Sequence, residues 1–203
     1  GRLFLFLSDR NFVTLVHSNL EQIQMNYILF DGTVREALLP FTFTRPVADI
    51  RIGILTIREK WEKHLGYATT TLTEEYLMEK FPMVEMEANI MINASFLPNE
   101  ILTEMVVNLE PNQAIFHKDD VIAFYTQDTQ EEVDFDSYEI IEYTNDCIKI
   151  EHTWDIFQKN DIALREDFEL LTEGRTSQPI PKSVNVIAPE NIFLEEGAKL
   201  EFV

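Results

Sequence analysis

Short apolar runs alternating with stretches of helical periodicity constrain the fold of this 203-residue chain more than any other feature. Asn26–Phe30 reads as a short buried strand, and Asn89–Asn93, Gln113–Lys118, Val121–Thr126, Ser137–Tyr143 and Cys147–His152 read as further strands. Between the first two, Arg35–Leu39 makes one helical turn closed by Pro40, and Phe41–Pro46 is extended because proline disfavours helix in the residue before it. Val47 opens a turn that becomes a helix to Leu65, with Ile54, Ile57, Trp61 and Leu65 on one face and Gly66 at its end. Thr73–Phe81, Asn99–Leu109 and Trp154–Phe168 are the other helices. Strands alternating with helices predict an α/β sandwich built on a mainly parallel sheet. Ligands of such sheets sit at the carboxyl ends of the strands. The turn Asp31-Gly32-Thr33 directly follows the first strand and falls at such a place.

Charge points to the same turn. The chain carries a formal net charge of −20. Residues 25–66 nevertheless hold six Lys/Arg against five Asp/Glu, whereas residues 67–203 hold eight against twenty-nine. A basic island inside so acidic a protein predicts an anionic ligand, most simply a phosphate. The overall charge argues against nonspecific binding of nucleic acid or of an anionic membrane, both of which need a cationic surface. With 45% hydrophobic residues and fifteen Phe, the chain has the means to bury one domain. Its single cysteine, Cys147, excludes an internal disulfide and fits a reducing cytoplasm. Histidines 17, 64, 117 and 152 have no ligand spacing with one another or with Cys147, which argues against zinc.

Composition changes near both ends. Leu3–Leu7 is too short an apolar run for a membrane span and lacks a following cleavage site, so residues 1–24 read as an appended extension before a start at Met25. Residues 25–171 read as the main domain, and the polar, proline-bearing residues 172–184 as a linker. From residue 185 to 203, Ala188, Leu194 and Leu200 recur every six residues, the opening pattern of a hexapeptide β-helix.

Phosphate binding at a strand-to-helix turn uses a glycine for close backbone approach, with amides and Arg or Lys for charge. Gly32, Thr33 and Arg35 offer these parts, and Arg45 stands on a backbone stiffened by Pro46. Arg51 and Arg58 share a face if the helix reaches back to Arg51, though Arg58 also suits a surface pair with Glu62.

The order Gly32-Thr33-x-Arg35, Leu39-Pro40-Phe41-Thr42 and Arg45-Pro46 resembles the signature of sugar-1-phosphate nucleotidyltransferases. Residues 38–53, 92–98, 154–160 and 192–198 are similar to recurrent segments of one subgroup, the sugar nucleotidyltransferases of Bacteroidetes-type bacteria. These in turn are similar to the uridylyltransferase domain of the bifunctional N-acetylglucosamine-1-phosphate uridylyltransferase. The resemblance implies a Rossmann-like domain followed by the first turns of a truncated left-handed β-helix, through which the full-length protein would form a homotrimer. It implies Mg²⁺-dependent attack of a sugar-1-phosphate on the α-phosphorus of a nucleoside triphosphate, with loss of pyrophosphate, in a cytoplasmic enzyme of cell-envelope precursor synthesis. It further implies that Gly32, Thr33, Arg35, Arg45 and Arg51 bind phosphates and that Arg35 and Arg45 are catalytic. Arg45 stands where the family has a lysine, and Asn93 near the position of a metal-holding aspartate. Asp155 is either a substitute for that aspartate or the cap of the helix that follows it. A non-catalytic nucleotide- or sugar-phosphate-binding module attached to the β-helix is the alternative.

Overall fold

The structure is a computed structural model that describes residues 25–127 and 133–200; the expected extension, residues 1–24, lies outside them. The first apolar run forms strand β1 (Asn26–Phe30). Because successive side chains of a strand point to opposite faces, Tyr27 and Leu29 enter the main core while Ile28 faces a smaller cluster. Then follow a hairpin of β2 (Arg51–Ile52) and β3 (Leu55–Thr56), helix α1 (Ile57–Leu65), strand β4 (Thr70–Leu72) and the short helix α2 (Glu75–Met78). Strand β5 (Asn89–Asn93), helix α3 (Glu100–Val107), strands β6 (Gln113–His117), β7 (Asp120–Thr126) and β8 (Glu139–Glu142), and helix α4 (Asp155–Thr172) complete the order.

Apart from the β2–β3 hairpin, which stands as a sheet of its own, the strands form one sheet in the order β4-β1-β5-β7-β6-β8, in which only β7 runs antiparallel to its neighbours. The sheet is thus largely parallel and flanked by helices. From β1 the chain passes to β4 on one side and then returns to β5 on the other. The carboxyl ends of β1 and β5 therefore border the point where strand order reverses, the crevice in which open α/β sheets hold ligands. Helices α1 and α3 pack their apolar stripes, including Ile57, Trp61, Leu102 and Val106, on one face against Leu29, Ile90, Ile92 and Ile115. Trp61 is fully buried and its indole N–H donates to the Phe96 carbonyl at 2.9 Å.

Several boundaries differ from the sequence expectation for local reasons. The first long helix does not reach back to Arg51. Thr56 makes a capping box, accepting from the Glu59 amide at 3.2 Å while Glu59 accepts from the Thr56 amide at 2.7 Å, and this starts α1 at Ile57. Residues 51–56 form the hairpin instead. Phe41–Phe43 is a 3-10 turn rather than extended, because Pro46 restricts only Arg45 and leaves the earlier residues free to curl. Residues 147–152 contribute a single bridge, Lys149 to Phe96, instead of a strand. The helix expected over Thr73–Phe81 shrinks to the four residues of α2, and α4 continues past Phe168 to Thr172. Among the described residues of 173–200 there is a 3-10 turn, Pro189–Asn191, and no strand, so coils of a β-helix are not seen. There the chain folds back on itself: Arg175 pairs with Glu195 and lies over the Phe193 ring, and the Gln178 amide donates to the Leu194 carbonyl at 2.9 Å.

A buried clamp joins α4 to the hairpin. Asp167, 2% exposed, accepts from the Ile54 and Leu55 amides at 2.7 and 3.0 Å and pairs with Lys60 of α1. Burial pushes the Lys60 ammonium below its ordinary value, with Asp167 opposing that shift. The hairpin comes this close only because its turn residue, Gly53, has a φ of +74° and no Cβ. A Cβ there would stand 2.5 Å from the Asp167 carboxylate and 2.8 Å from the Ala163 carbonyl. Asp167→Ala leaves a buried ammonium unpaired and is expected to cost about 3–5 kcal/mol of unfolding free energy in urea titration. Pairing Asp167→Leu with Lys60→Met should recover only part of that loss, because the Ile54 and Leu55 amides stay without an acceptor. A loss from Asp167→Ala within the roughly 0–1 kcal/mol of a surface pair would show that the clamp does not hold the two layers together.

Candidate functional site

Asp31 directly follows β1 and is 6% exposed, and a carboxylate so buried must be paired. One oxygen accepts from the Val47 amide at 2.6 Å. The other accepts from the Arg35 guanidinium at 2.6 Å and from the Thr73 hydroxyl at 2.5 Å. The loop from Asp31 to Val47 is thereby drawn over the carboxyl ends of β1 and β4. Gly32 follows at a φ of +63°, and a Cβ on it would meet the Asn93 side-chain oxygen at 3.1 Å. The absent side chain lets the turn after β1 lie against the end of β5, so the structure brings Gly32 and Asn93 together. Among the described residues the amides of Gly32 and Thr33 donate no hydrogen bond, and the Thr33 side chain is exposed. Two unpaired amides at a turn on a sheet's carboxyl end are donors suited to a phosphate.

The four arginines of the basic island separate clearly. Arg35 donates to Asp31, to the Thr42 carbonyl at 2.6 Å and to the Tyr76 hydroxyl at 2.8 Å, with Thr73 at 3.4 Å and Glu74 at 3.6 Å. Its side chain is 12% exposed. Arg51 is exposed, pairs with Glu59 at 3.6 Å and bonds the Ile54 carbonyl of its own hairpin. Arg58 makes a two-pronged pair with Asp49 at 2.9 and 3.2 Å and reaches Thr69 and Thr71, not Glu62. Glu62 instead accepts from the Thr69 amide at 2.9 Å. Arg45 is exposed and makes no hydrogen bond or ion pair among the described residues. Since Val47 is tied to Asp31, the backbone two residues beyond Arg45 is anchored at the end of β1.

Asn93 is committed to its neighbours through three hydrogen bonds. Its amide donates to the Val121 carbonyl at 3.0 Å, and its oxygen accepts from the Ser95 amide at 3.1 Å and hydroxyl at 2.8 Å. Beyond it, Lys149 holds Asp120 at 2.8 Å and Glu151 at 2.9 Å while lying over the buried Phe96 ring. Asp155 accepts from the Glu151 and His152 amides at 2.8 and 2.9 Å and pairs with Lys159 at 3.2 Å, so it ties the turn before α4 to the helix's first residue, whereas the N-cap residue, Trp154, makes no side-chain capping bond. Burial pushes its carboxyl up, but the two amides and Lys159 outweigh that and hold it below its ordinary value. Among the described residues no three His, Cys, Asp or Glu gather as a metal site.

Well-formed clefts lie elsewhere. One of about 510 Å³ runs beside α4 and is lined by Glu100, Glu166, Glu169 and Glu173, a wall that repels phosphate. Cys147 is half-buried on a neighbouring cleft of about 420 Å³, where burial pushes its thiol up. No described helix is long and apolar enough to cross a membrane.

Sequence reasoning singled out Gly32, Thr33, Arg35, Arg45 and Asn93 but passed over the partners that fix them. Thr42, Thr73 and Tyr76 lie up to 41 residues from Arg35, and no local spacing signals their convergence. A family model described as sugar nucleotidyl transferase matches residues 27–176. No curated protein gives a significant match.

The Asp155 contacts carry a pH signature. A carboxyl held below its ordinary value of 3.8 stabilises the fold fully above that value, and the contribution is lost as pH falls through the lower folded value. Asp155→Asn is therefore expected to lower the melting temperature at pH 7. It should also flatten the fall in melting temperature on acidification below about pH 4, the range in which carboxylates protonate. Identical acid slopes for the two proteins would remove Asp155 from this role.

Proposed function

The chain belongs to the sugar nucleotidyl transferase family, and we propose that it joins a nucleoside triphosphate to a sugar-1-phosphate, releasing pyrophosphate. The observation that carries this is the pairing state of the basic island. Arg35, Arg51 and Arg58 are engaged within the chain, whereas Arg45 is unpaired and is anchored, through Val47, to the same carboxylate that directly follows β1. Beside it the Gly32 and Thr33 amides have no acceptor among the described residues. Together they form an anion-seeking surface at the switch point of the sheet.

In the reaction a phosphate oxygen of the sugar-1-phosphate attacks the α-phosphorus. The bond from that phosphorus to the oxygen bridging to the β-phosphate breaks, and pyrophosphate leaves. Positioning and charge neutralisation do most of the work in such a transfer. Arg45 and the two amides stabilise negative charge on the departing phosphates. The residues at the Asn93 position do not fit a resident Mg²⁺. Asn93 has no carboxylate and its oxygen already accepts two hydrogen bonds, Asp120 and Glu151 are held on Lys149, and Asp155 is occupied by two backbone amides and Lys159. No step is assigned to the metal, which would arrive only with the nucleotide. The missing carboxylate is also what favours the second reading, a module that binds the nucleotide or sugar phosphate without turnover.

We further assign the chain to the Bacteroidetes-type, uridylyltransferase-like subgroup acting in the cytoplasm on cell-envelope precursors. Residues 185–203 would lead into a trimer-forming hexapeptide β-helix.

Pyrophosphate release is the direct test, with each nucleoside triphosphate set against each hexose-1-phosphate in the presence of Mg²⁺. At least one pair should react, and Arg45→Ala should lower kcat/KM by about 10- to 100-fold. If no pair reacts but a nucleotide still raises the melting temperature, the binding module replaces the enzyme. An Arg45→Ala protein of unchanged activity would dismiss the basic island as the phosphate site.

A further inference from the structure

We propose that Asp31 and Arg35 act as a positioning pair for Arg45 rather than as ligands of the phosphate themselves; this rests on the phosphate site proposed above. The pair holds both ends of the short segment that bears Arg45. Arg35 donates to the Thr42 carbonyl at 2.6 Å, three residues before Arg45, and the Thr42 hydroxyl donates back to the Arg35 carbonyl at 2.9 Å. Asp31 accepts from the Val47 amide at 2.6 Å, two residues after Arg45. A 2.6 Å ion pair between Asp31 and Arg35 joins the two anchors. Between them Thr42 is fully buried while Arg45 remains exposed, so the loop is pinned on both flanks and open at its basic residue.

The two terminal nitrogens of Arg35 have no donor left for a ligand. One terminal nitrogen serves Asp31 and Thr73, the other serves Thr42 and Tyr76, and the Nε–H faces Glu74. A phosphate that captured Arg35 would have to strip the partner from Asp31, a carboxylate 6% exposed. Leaving that charge buried and unpaired is strongly unfavourable. Asp31 is itself an anion and cannot attract a phosphate. Its contribution to binding one must therefore run through the loop it holds.

The test is calorimetric titration of the full chain with inorganic tripolyphosphate. Arg45→Ala should weaken binding by about tenfold, the loss of one ligand-facing charge. Arg35→Lys keeps the charge but loses the fork that spans Asp31 and Thr42, so it too should weaken binding several-fold. In the Arg45→Ala background the same change should have an effect below about twofold, because the two residues act in series. Asp31→Asn gives the sharpest contrast and serves if Arg35→Lys fails to fold. Removing a negative charge near an anion site would tighten binding by electrostatics alone, whereas loss of positioning weakens it. Full multiplication of the Arg35 and Arg45 effects, wild-type affinity in Arg35→Lys, or tighter binding by Asp31→Asn would each overturn the assignment while leaving the phosphate site standing. A wild-type protein that takes up no tripolyphosphate would remove the site and the positioning pair together.

Discussion

The carboxylate at the end of β1 is the point from which the candidate site is built. Asp31 is buried, and burial of a charge is tolerable only when partners surround it. Its partners come from three places far apart in the chain: Arg35 in the turn that follows, Val47 at the far end of the loop, and Thr73 just after β4. Satisfying one charge thus folds a sixteen-residue excursion onto the sheet and fixes its two edges. A residue with no side chain at this position would leave the loop without that centre. The buried carboxylate brings a division of labour, in which Asp31 and Arg35 organise and Arg45, Gly32 and Thr33 face outward.

A second buried carboxylate supports the first from a distance. Asp167 of α4 bonds the hairpin amides and Lys60, and so fixes the segment that carries the chain from the basic loop into α1. Both centres follow one rule: an acid is buried where backbone amides and a cation converge on it, and it joins elements distant in sequence. The surplus of Asp and Glu elsewhere lines exposed surfaces and the clefts beside α4. That distribution leaves the carboxyl end of β1 as the place where an anion meets unpaired donors.

Much of the architecture was legible because it rests on local periodicity. Asn26–Phe30, Asn89–Asn93, the 113–126 pair and the helix after Asn99 follow from apolar runs, and the structure places them within a residue or two of expectation. Misreadings occurred where a non-local or capping contact decided. Helix periodicity extended through Ile54, yet the Thr56–Glu59 capping box and the close approach of Gly53 to Asp167 make that stretch a hairpin. The basic island was visible as composition, but composition cannot tell which arginine is occupied. Arg35 and Arg51 look as available as Arg45 until Asp31 and Glu59 are seen beside them, and Arg58 pairs with Asp49 rather than with the Glu62 that its spacing suggests. Asp155 presented two readings, a metal holder or the cap of the following helix, and its carboxylate instead binds the Glu151 and His152 amides upstream of α4 together with Lys159.

The central claim is that phosphates of a nucleotide bind at the turn after β1, and backbone amide chemical shifts report on it directly. In ¹⁵N-resolved spectra of the full chain titrated in turn with ATP, CTP, GTP, UTP and dTTP, the amides of Gly32 and Thr33 should move furthest for the nucleotide that binds. Residues flanking Arg45 should move with them, while those lining the acidic cleft beside α4 stay in place. Shifts confined to that cleft, or none at Gly32 and Thr33 under saturating nucleotide, would contradict the account.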